Sequence, residues 1–115
     1  MAVARPARAP NRGEVYLVEL DPTRGSEIRK TRPCLIISPD ELNHHLRTVI
    51  VAPMITGGHA YPFRPPCRFS GKVGRVALDQ LRTVDRERLR KRLGVLTPAT
   101  LGTVFATLAD LFEFS

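Results

Sequence analysis

The sequence predicts a small α+β domain in which antiparallel strands form a compact, partly closed sheet and one C-terminal helix packs on it. Three observations support this fold. Short segments rich in β-branched and aromatic residues fill the chain up to residue 84, Gly and Pro separate them, and a helical apolar pattern stands at the end. The 115 residues suit one domain with one core. We expect residues 1–11, rich in Arg and Pro, to be a disordered tail, and residues 12–115 to form the domain.

Three strands are predicted in the first half of the chain, at residues 15–20, 33–38 and 48–54. A long polar loop joins the first two strands and brings Arg32 to the start of the second. Residues 33–38 are mostly apolar, as in a strand that is buried on both faces. Residues 39–45 then break the pattern with turn formers and one helical turn.

The second half of the sheet is marked by frequent Pro and Gly. Residues 62–69 contain three prolines, which cannot donate to a strand ladder, so any strand there lies at an edge or carries a bulge. Residues 71–74 are typical of a hairpin turn that leads into a strand at residues 75–78. Residues 80–84 continue this strand or start another.

Two helices are predicted after residue 84. The charged segment 85–94 favours a short helix that ends at Gly94. Thr97 and Pro98 indicate the start of the second helix, because Thr accepts a hydrogen bond at an N-cap and Pro is tolerated in the first turn. The apolar stripe of this helix predicts that it packs on the sheet, and it consists of Leu101, Val104, Phe105, Leu108, Leu111 and Phe112.

Lys and Arg number 18 against 11 acidic residues, which gives a net charge of +7. Guanidinium groups suit bidentate recognition of phosphate, so nucleic acid or another acidic partner is expected, and a solvated basic surface is the alternative. Cys34 and Cys67 lack the close spacing of a metal site or a disulfide framework, and a reducing cytoplasm fits them best. No apolar run approaches the length that crosses a membrane.

The sequence lacks a P-loop, GxGxxG, HExxH, paired CxxC and GxSxG, so nucleotide, zinc and serine-hydrolase chemistry lose their usual signatures and no cofactor is expected. Polar residues remain at four strand ends or adjoining loops: Arg32, Thr56, Ser26–Glu27 and Asp79–Gln80. An Arg, a hydroxyl and a carboxylate on one rim suit a phosphodiester, because the first two stabilise charge and the carboxylate moves a proton. RNA brings its own nucleophile, the 2′-hydroxyl, so this chemistry needs no metal.

Each of these residues also has a purely structural explanation. Arg32 fits a surface cation at a strand start, Thr56 a turn residue, and Ser26–Glu27 a solvated loop pair. Asp79–Gln80 interrupts an apolar strand and should have a partner if it is buried. Of the three histidines, His59 is the better candidate for contact with a ligand.

Four motifs in order resemble the MazF/PemK (Kid) family of toxins from bacterial type II toxin–antitoxin systems. They are RGEVYLVELDPTRGSE, the Thr31–Arg32–Pro33 junction, VAPMIT at residues 51–56 and LDQLRT at residues 78–83, and the match covers about residues 12–112. The resemblance implies a small SH3-like β-barrel with a packed C-terminal helix, which is the CcdB/PemK-like fold. It also implies a homodimer and a sequence-specific, metal-independent and ribosome-independent endoribonuclease (mRNA interferase). The products would carry a 2′,3′-cyclic phosphate and a 5′-hydroxyl.

The same resemblance implies roles for individual residues. Arg32 becomes a proton donor or a stabiliser of the phosphorane, and Thr56 a hydrogen-bonding group at the transition state. Asp79 matches a general base of the PemK branch, and Glu27 matches a loop Glu implicated in activity, so both are further catalytic candidates. Ala77 stands where the PemK branch has an Arg, so that proton relay is incomplete.

An RNA groove is also implied. The residues expected to bind substrate there are Arg12, Ser26, Glu27, Pro62 and Gln80. Phe63 replaces a small polar residue of some relatives, which leaves the base preference open. The substrate is single-stranded RNA, as mRNA or else rRNA or tRNA, and no metal is implied.

The expected protein partner is a MazE-like antitoxin whose acidic, disordered tail folds along the toxin dimer and blocks the groove. DNA would be contacted only indirectly, through the antitoxin. No membrane association is implied, and a cytoplasmic location is expected.

Two other functions stay open. Gyrase poisons of the CcdB type share the fold without catalysis and act through a C-terminal Trp motif, whereas this chain has no Trp and ends Leu-Phe-Glu-Phe-Ser115. An SH3-like module that only binds nucleic acid would show salt-sensitive RNA binding without cleavage.

Overall fold

A computed structural model describes residues 8–114. In this range the elements are β1 (Glu14–Glu19), β2 (Thr31–Ile36), α1 (Asp40–His45), β3 (Thr48–Ile55), β4 (Pro66–Phe69), β5 (Lys72–Val76), β6 (Arg82–Asp85), β7 (Leu89–Val95) and α2 (Pro98–Leu111). Short 3₁₀ turns occupy Leu78–Gln80 and Arg86–Arg88. The three predicted N-terminal strands are confirmed to within a few residues, and the predicted helical turn is the six-residue helix α1. Among the residues described, no helix has the length and apolarity to cross a membrane.

The strands form one curled antiparallel sheet. Its order is β4, β5, β3, β2, β1 and β7, and β6 pairs with β3 beside this path. β4 and β7 are the two ends of this order, yet a Cβ added at Gly94 of β7 would lie 3.0 Å from the Phe69 ring of β4. The two edges therefore approach each other, and the partly closed sheet expected from the sequence is confirmed.

β3 changes its partner on one side at Pro53. Residues 48–51 pair with β6, and residues 54–55 pair with β5. Pro53 lies between these two ladders, where a residue without an N–H is tolerated, and its carbonyl accepts a hydrogen bond from Ala77 N–H at 2.8 Å. The turn Leu78–Gln80 fills the gap between β5 and β6. It therefore carries two polar residues, Asp79 and Gln80, to the end of β3.

Each face of the sheet has its own hydrophobic core. The core beneath α2 contains Val15, Leu35, Ile37, Ala52, Met54, Cys67, Val76, Leu78, Leu96 and Val104. The core on the opposite face contains Tyr16, Val18, Leu20, Cys34, Ile36, Val49, Val51, Val84 and Leu89. Because successive side chains of a strand point to opposite faces, β1 and β2 are buried on both sides, as their apolar runs predicted.

Helix α2 begins as predicted. Thr97 is the N-cap, its hydroxyl accepts a hydrogen bond from Thr100 N–H at 3.3 Å, and Pro98 follows in the first turn. Val104 is fully buried, and its partly buried neighbours in the stripe pack against the same core. Leu111 and Phe112 are 39% and 68% exposed, so the stripe packs only along the first part of the helix.

The helix predicted at residues 85–94 is wrong, because most of that segment is strand β7. β7 pairs with β1, and this pairing gives its cations partners that a separate helix would lack. Arg90 binds Glu19 at 2.6 Å, and Arg92 binds Glu14 at 2.7 Å. Pairing with a distant strand has thus overridden the local helical preference of this charged segment. Charged side chains on an edge strand also protect it from pairing with other chains.

The start of the domain is tied to the sheet by Glu14. Its buried carboxylate accepts hydrogen bonds from Asn11 N–H at 2.7 Å, from Arg8 at 2.9 Å and from Arg92 at 2.7 Å. Burial alone would raise the pKa of this carboxyl, but these donors outweigh it and the pKa is lowered. Residues 1–7 of the predicted tail lie outside the described residues, and the boundary at residue 11 stays a prediction.

We expect Gly74→Ala to destabilise the protein, because a Cβ at Gly74 would lie 2.5 Å from the Ile55 carbonyl oxygen. The strands β3 and β5 would have to separate, which should lower the free energy of unfolding by about 1 to 3 kcal/mol in chemical denaturation. Gly102→Ala is the matched control, since a Cβ there meets no atom within 4 Å. Gly102 lies in α2, so alanine should stabilise by up to about 1 kcal/mol. Equal effects of the two substitutions would contradict the close approach at Gly74.

Candidate active site

Two pockets lie at the end of β3. The first, the Arg32 pocket, has a volume of about 380 Å³, and its lining includes Arg32, Pro33, Thr56, Cys67, Phe69 and Lys72. The second, the Asp79 pocket, has a volume of about 720 Å³, and its lining includes Arg24, Glu27, Pro53, Asp79, Gln80 and Arg82. Pro53 lines the second pocket and the three residues that follow it line the first. The structure thus gathers five of the predicted site residues into two pockets, Arg32 with Thr56 and Glu27 with Asp79 and Gln80.

The Arg32 pocket combines two cations with a hydroxyl. Arg32 is half-buried near the start of β2, opposite Val18 of β1, and its Nε donates to the Arg29 carbonyl at 3.0 Å. This bond uses one of the five N–H groups of the guanidinium. Thr56 directly follows the last residue of β3, and Lys72 begins β5. Such a set of donors can neutralise a phosphate and stabilise additional charge on it.

The loop between β1 and β2 is closed by internal hydrogen bonds. Leu20 N–H donates to the Lys30 carbonyl at 3.0 Å. Within the loop, Arg24 N–H donates to Glu27 Oε1 at 2.6 Å, and Glu27 N–H donates to the Arg24 carbonyl at 3.0 Å. Ile28 N–H donates to Gln80 Oε1 at 3.1 Å, which ties the loop to the turn Leu78–Gln80. These bonds set the position of the loop relative to the turn Leu78–Gln80.

Asp79 has a partner that the sequence did not reveal. Both of its carboxylate oxygens accept from Arg64, Oδ1 from Nε at 2.8 Å and Oδ2 from Nη2 at 2.7 Å. The pair lies at the surface and is only partly shielded from solvent, with the Arg64 side chain 18% and the Asp79 side chain 27% exposed. The Arg64 hydrogen bonds hold the pKa of Asp79 below its ordinary value. Asp79 is therefore ionised and engaged, which makes it a weak proton acceptor.

The sequence did not indicate Arg64 as a site residue, because its partner Asp79 is distant from it in the chain. The available signals were indirect: Asp79–Gln80 needed a partner if buried, and Arg64 is a cation among three prolines. Arg64 and Asp79 are 15 residues apart, and the pairing of β4 with β5, extended by the hydrogen bond from Val76 N–H to the Pro65 carbonyl at 3.0 Å, brings their segments together.

Other predicted site residues lie outside the two pockets. Ser26 is exposed at the tip of the β1–β2 loop, and Pro62 is exposed between two aromatic residues. The Arg12 guanidinium donates from Nε to the Ile37 carbonyl at 2.8 Å and lies 4.7 Å from the centroid of the Phe105 ring. Ile37 follows the far end of β2 from Arg32, about 17 Å along an extended strand. The structure does not bring Arg12 to the pockets.

Cys34 and Cys67 are both free and buried. They belong to the cores on opposite faces of the sheet, and burial raises the pKa of the Cys34 thiol to about 12.

Within residues 8–114, no three His, Cys, Asp or Glu side chains cluster closely enough to hold a metal ion.

Residues 11–112 match the family model described as PemK-like, MazF-like toxin of type II toxin-antitoxin system. The chain belongs to this family. It is 35% identical over 109 residues to Endoribonuclease PemK of Escherichia coli, a match that covers 87% of this chain and 80% of the relative. It is 33% identical over 96 residues to Endoribonuclease MazF of Staphylococcus epidermidis, covering 78% of this chain and 80% of the relative. The predicted family and the endoribonuclease toxin class are confirmed.

Solved structures of family members share the fold. MazF from Deinococcus radiodurans superposes with a TM-score of 0.81 at 26% identity, over 92% of this chain and 98% of that one. An endoribonuclease from Mycobacterial species, solved in complex with its cognate antitoxin, gives 0.77 at 27% identity over 93% and 100% of the two chains. The predicted fold, a small SH3-like β-barrel of antiparallel strands with one packed C-terminal helix of the CcdB/PemK-like type, is confirmed as a curled antiparallel sheet with that helix.

We expect the Arg64–Asp79 pair to make stability pH-dependent. The folded-state pKa of Asp79 lies below its ordinary value of 3.8, so the pair stabilises the fold above about pH 4, and this stability is lost as pH falls through the folded pKa. Asp79→Asn should be less stable than the wild type at pH 7, and the difference should shrink below about pH 4. Chemical denaturation across this range measures it. Arg64→Gln should lose stability relative to the wild type with the same dependence on pH. A stability difference between wild type and either variant that grows as the pH falls would contradict the pairing.

Proposed function

We propose that this toxin cleaves single-stranded RNA by attack of a ribose 2′-hydroxyl on the adjacent phosphorus. The bond from phosphorus to the 5′-oxygen breaks, leaving a 2′,3′-cyclic phosphate and a 5′-hydroxyl. Neither a metal ion nor a ribosome takes part. The observation that carries the proposal is the pocket that holds Arg32, Thr56 and Lys72 together.

Arg32 and Thr56 act on the phosphate. In the transition state the phosphorus is bonded to five oxygens and its non-bridging oxygens gain negative charge. The half-buried Arg32 guanidinium is oriented by the Arg29 carbonyl, so it can donate to these oxygens without first reorganising. The Thr56 hydroxyl adds a neutral donor. The hydrogen bonds from both groups become stronger as negative charge builds on the phosphate oxygens. They therefore stabilise the transition state more than the bound substrate, which lowers the activation barrier.

Glu27 is the better proton acceptor of the two carboxylates in the Asp79 pocket. Both oxygens of Asp79 are engaged by Arg64, whereas Glu27 is exposed and one of its oxygens accepts from Arg24 N–H. We assign to Glu27 the removal of the 2′-hydroxyl proton, and to Arg32 a hydrogen bond that stabilises the charge on the leaving 5′-oxygen, which then takes a proton from water. Asp79 then serves to position Arg64.

The RNA strand runs from the Arg32 pocket across the Asp79 pocket. Arg24 and Arg82 line the second pocket and suit the phosphates on either side of the cut. Ser26, Gln80 and Pro62 are proposed to contact bases, as expected from the sequence. For Arg12 the same role finds no support, since its guanidinium is engaged elsewhere.

We propose a homodimer as the active form and an antitoxin with an acidic segment as its inhibitor. The net charge of +7 suits such a segment. The exposed apolar side chains at the end of α2, which include Leu111, Phe112 and Phe114, suit a protein interface. DNA would be reached only through the antitoxin, and the toxin would act in the cytoplasm, on mRNA or else on rRNA or tRNA.

The purified protein should cleave an RNA oligonucleotide and leave its all-DNA analogue intact, with the same rate in EDTA. RNA carrying a single 2′-deoxyribose on the 5′ side of the cut should bind and resist cleavage, because the nucleophile is absent. Mass spectrometry of the products should find the cyclic phosphate. Cleavage of the DNA or loss of activity in EDTA would contradict the mechanism, and salt-sensitive binding without products would favour a binding module.

Arg32→Ala should lower kcat by about 100- to 1,000-fold, the usual effect of losing one donor to a developing oxyanion. Thr56→Val should lower it less, because a neutral donor is lost. The matched control is Arg47→Ala, which removes the same charge at the opposite end of β3 from Thr56 and should leave kcat unchanged. If Arg32→Ala and Arg47→Ala were equally active, Arg32 would have no part in the chemistry.

A further inference from the structure

Three aromatic rings line up on the segment between β3 and β4. Tyr61 and Phe63 are nearly parallel, with 10° between ring planes and 5.0 Å between centroids. His59 lies 4.7 Å from Tyr61 by centroids and is tilted by 52°. We call these three side chains the aromatic stack. The sequence pointed to His59 as a candidate ligand contact and to Phe63 in the expected groove, but the catalytic assignments above use none of the three.

The aromatic stack is anchored at one end and open at the other. Phe63 is half-buried, Tyr61 is 41% exposed and His59 is exposed. Rings that served only to fill the core would be covered, because apolar surface is stabilised by leaving water. This stack instead projects from the core into solvent with its outer end uncovered.

The Arg64–Asp79 pair fastens the stack to the rim of the Asp79 pocket. Arg64 follows Phe63, its guanidinium lies 5.5 Å from the centroid of the Tyr61 ring, and its N–H donates to the Tyr61 carbonyl at 3.0 Å. Arg75 Nη1 holds the Arg64 carbonyl at 3.1 Å. Both the side chain and the backbone of Arg64 thus have partners, and these contacts place the rings beside the pocket.

Charge argues for a base rather than a phosphate as the occupant. The Arg64 guanidinium is neutralised by Asp79, so its charge is not free for a phosphate, and the outer end of the stack offers flat aromatic faces. Every nucleobase has a flat face that stacks on such rings, and bases of single-stranded RNA are free to turn outward. A phosphate would gain little here and more at the cations lining the two pockets.

We propose that the aromatic stack binds one unpaired base of the RNA substrate, which adds to the outer end formed by His59 and Tyr61. This deepens the proposed function and rests on it. The stack sets the position of one nucleotide relative to the scissile phosphate. Since stacking tolerates all four bases, this nucleotide contributes more to affinity than to sequence choice.

The test uses a non-cleavable RNA with a 2′-deoxyribose at the cut, into which 2-aminopurine is placed at one position at a time. Wild-type protein should quench its fluorescence at one position, because stacking quenches this base. Tyr61→Ala should abolish that quenching and weaken RNA binding by about 5- to 150-fold, the range that base–aromatic stacking spans. Tyr61→Phe keeps the ring and should restore the quenching.

Leu46→Ala is the matched control for losing an exposed apolar side chain, since Leu46 is 51% exposed and follows α1. It should bind RNA like the wild type. Thermal unfolding of each variant shows whether the fold is kept. An abasic site at the quenched position should weaken wild-type binding and have no further effect in Tyr61→Ala.

Cleavage of the all-ribose RNA by the wild type is measured alongside and tests the proposed function by itself. If the wild type cleaves and Tyr61→Ala binds the RNA as tightly, with quenching intact, the base site is overturned. If Tyr61→Ala weakens only inhibition by an antitoxin, the stack is a protein contact and the base site is again overturned. Absence of cleavage by the wild type would contradict the proposed function instead, and the base site with it.

Discussion

The change of partner along β3 is the constraint on which the site depends. A single strand pairs with β6 over its first half and with β5 at its end, and the chain between these partners has to cross the gap at Pro53. That crossing is the turn Leu78–Gln80, held by the bond from Ala77 N–H to the Pro53 carbonyl. Three consequences follow from one junction: Asp79 reaches Arg64, Gln80 reaches the β1–β2 loop, and Thr56 emerges beside Arg32.

Part of the positive charge of the chain serves the fold. Arg92 and Arg90 neutralise acidic residues of β1, Arg64 is engaged by Asp79, and Arg88 donates to the carbonyls of Glu19 and Asp21. Such pairs hold the edge strand and the β3–β4 segment in place. Four cations line the two pockets, out of 18 in the sequence. Net charge therefore overstates how much of the surface can hold RNA.

Local patterns predicted the elements whose cause is local. The β1 and β2 runs and the Thr97–Pro98 helix start depend on neighbouring residues, and they were placed correctly. Strand β7 was predicted as a helix instead, because its strand conformation depends on pairing with β1, more than 70 residues away in the chain. Arg12 and Arg64 show the same limit for the site. Their partners are set by the curl of the sheet, which residue order does not specify.

The bond from Ile28 N–H to Gln80 Oε1 attaches the β1–β2 loop to the sheet through a backbone donor. Every residue except proline supplies that donor, so the hydrogen bond itself does not depend on which side chain stands at position 28, although Ile28 also packs on the core opposite α2. The acceptor, by contrast, is the side-chain amide oxygen of Gln80, so a substitution at position 80 can remove the attachment. The exposed loop tip around Ser26 can therefore diversify in evolution, while the attachment keeps the loop at a constant distance from the turn Leu78–Gln80.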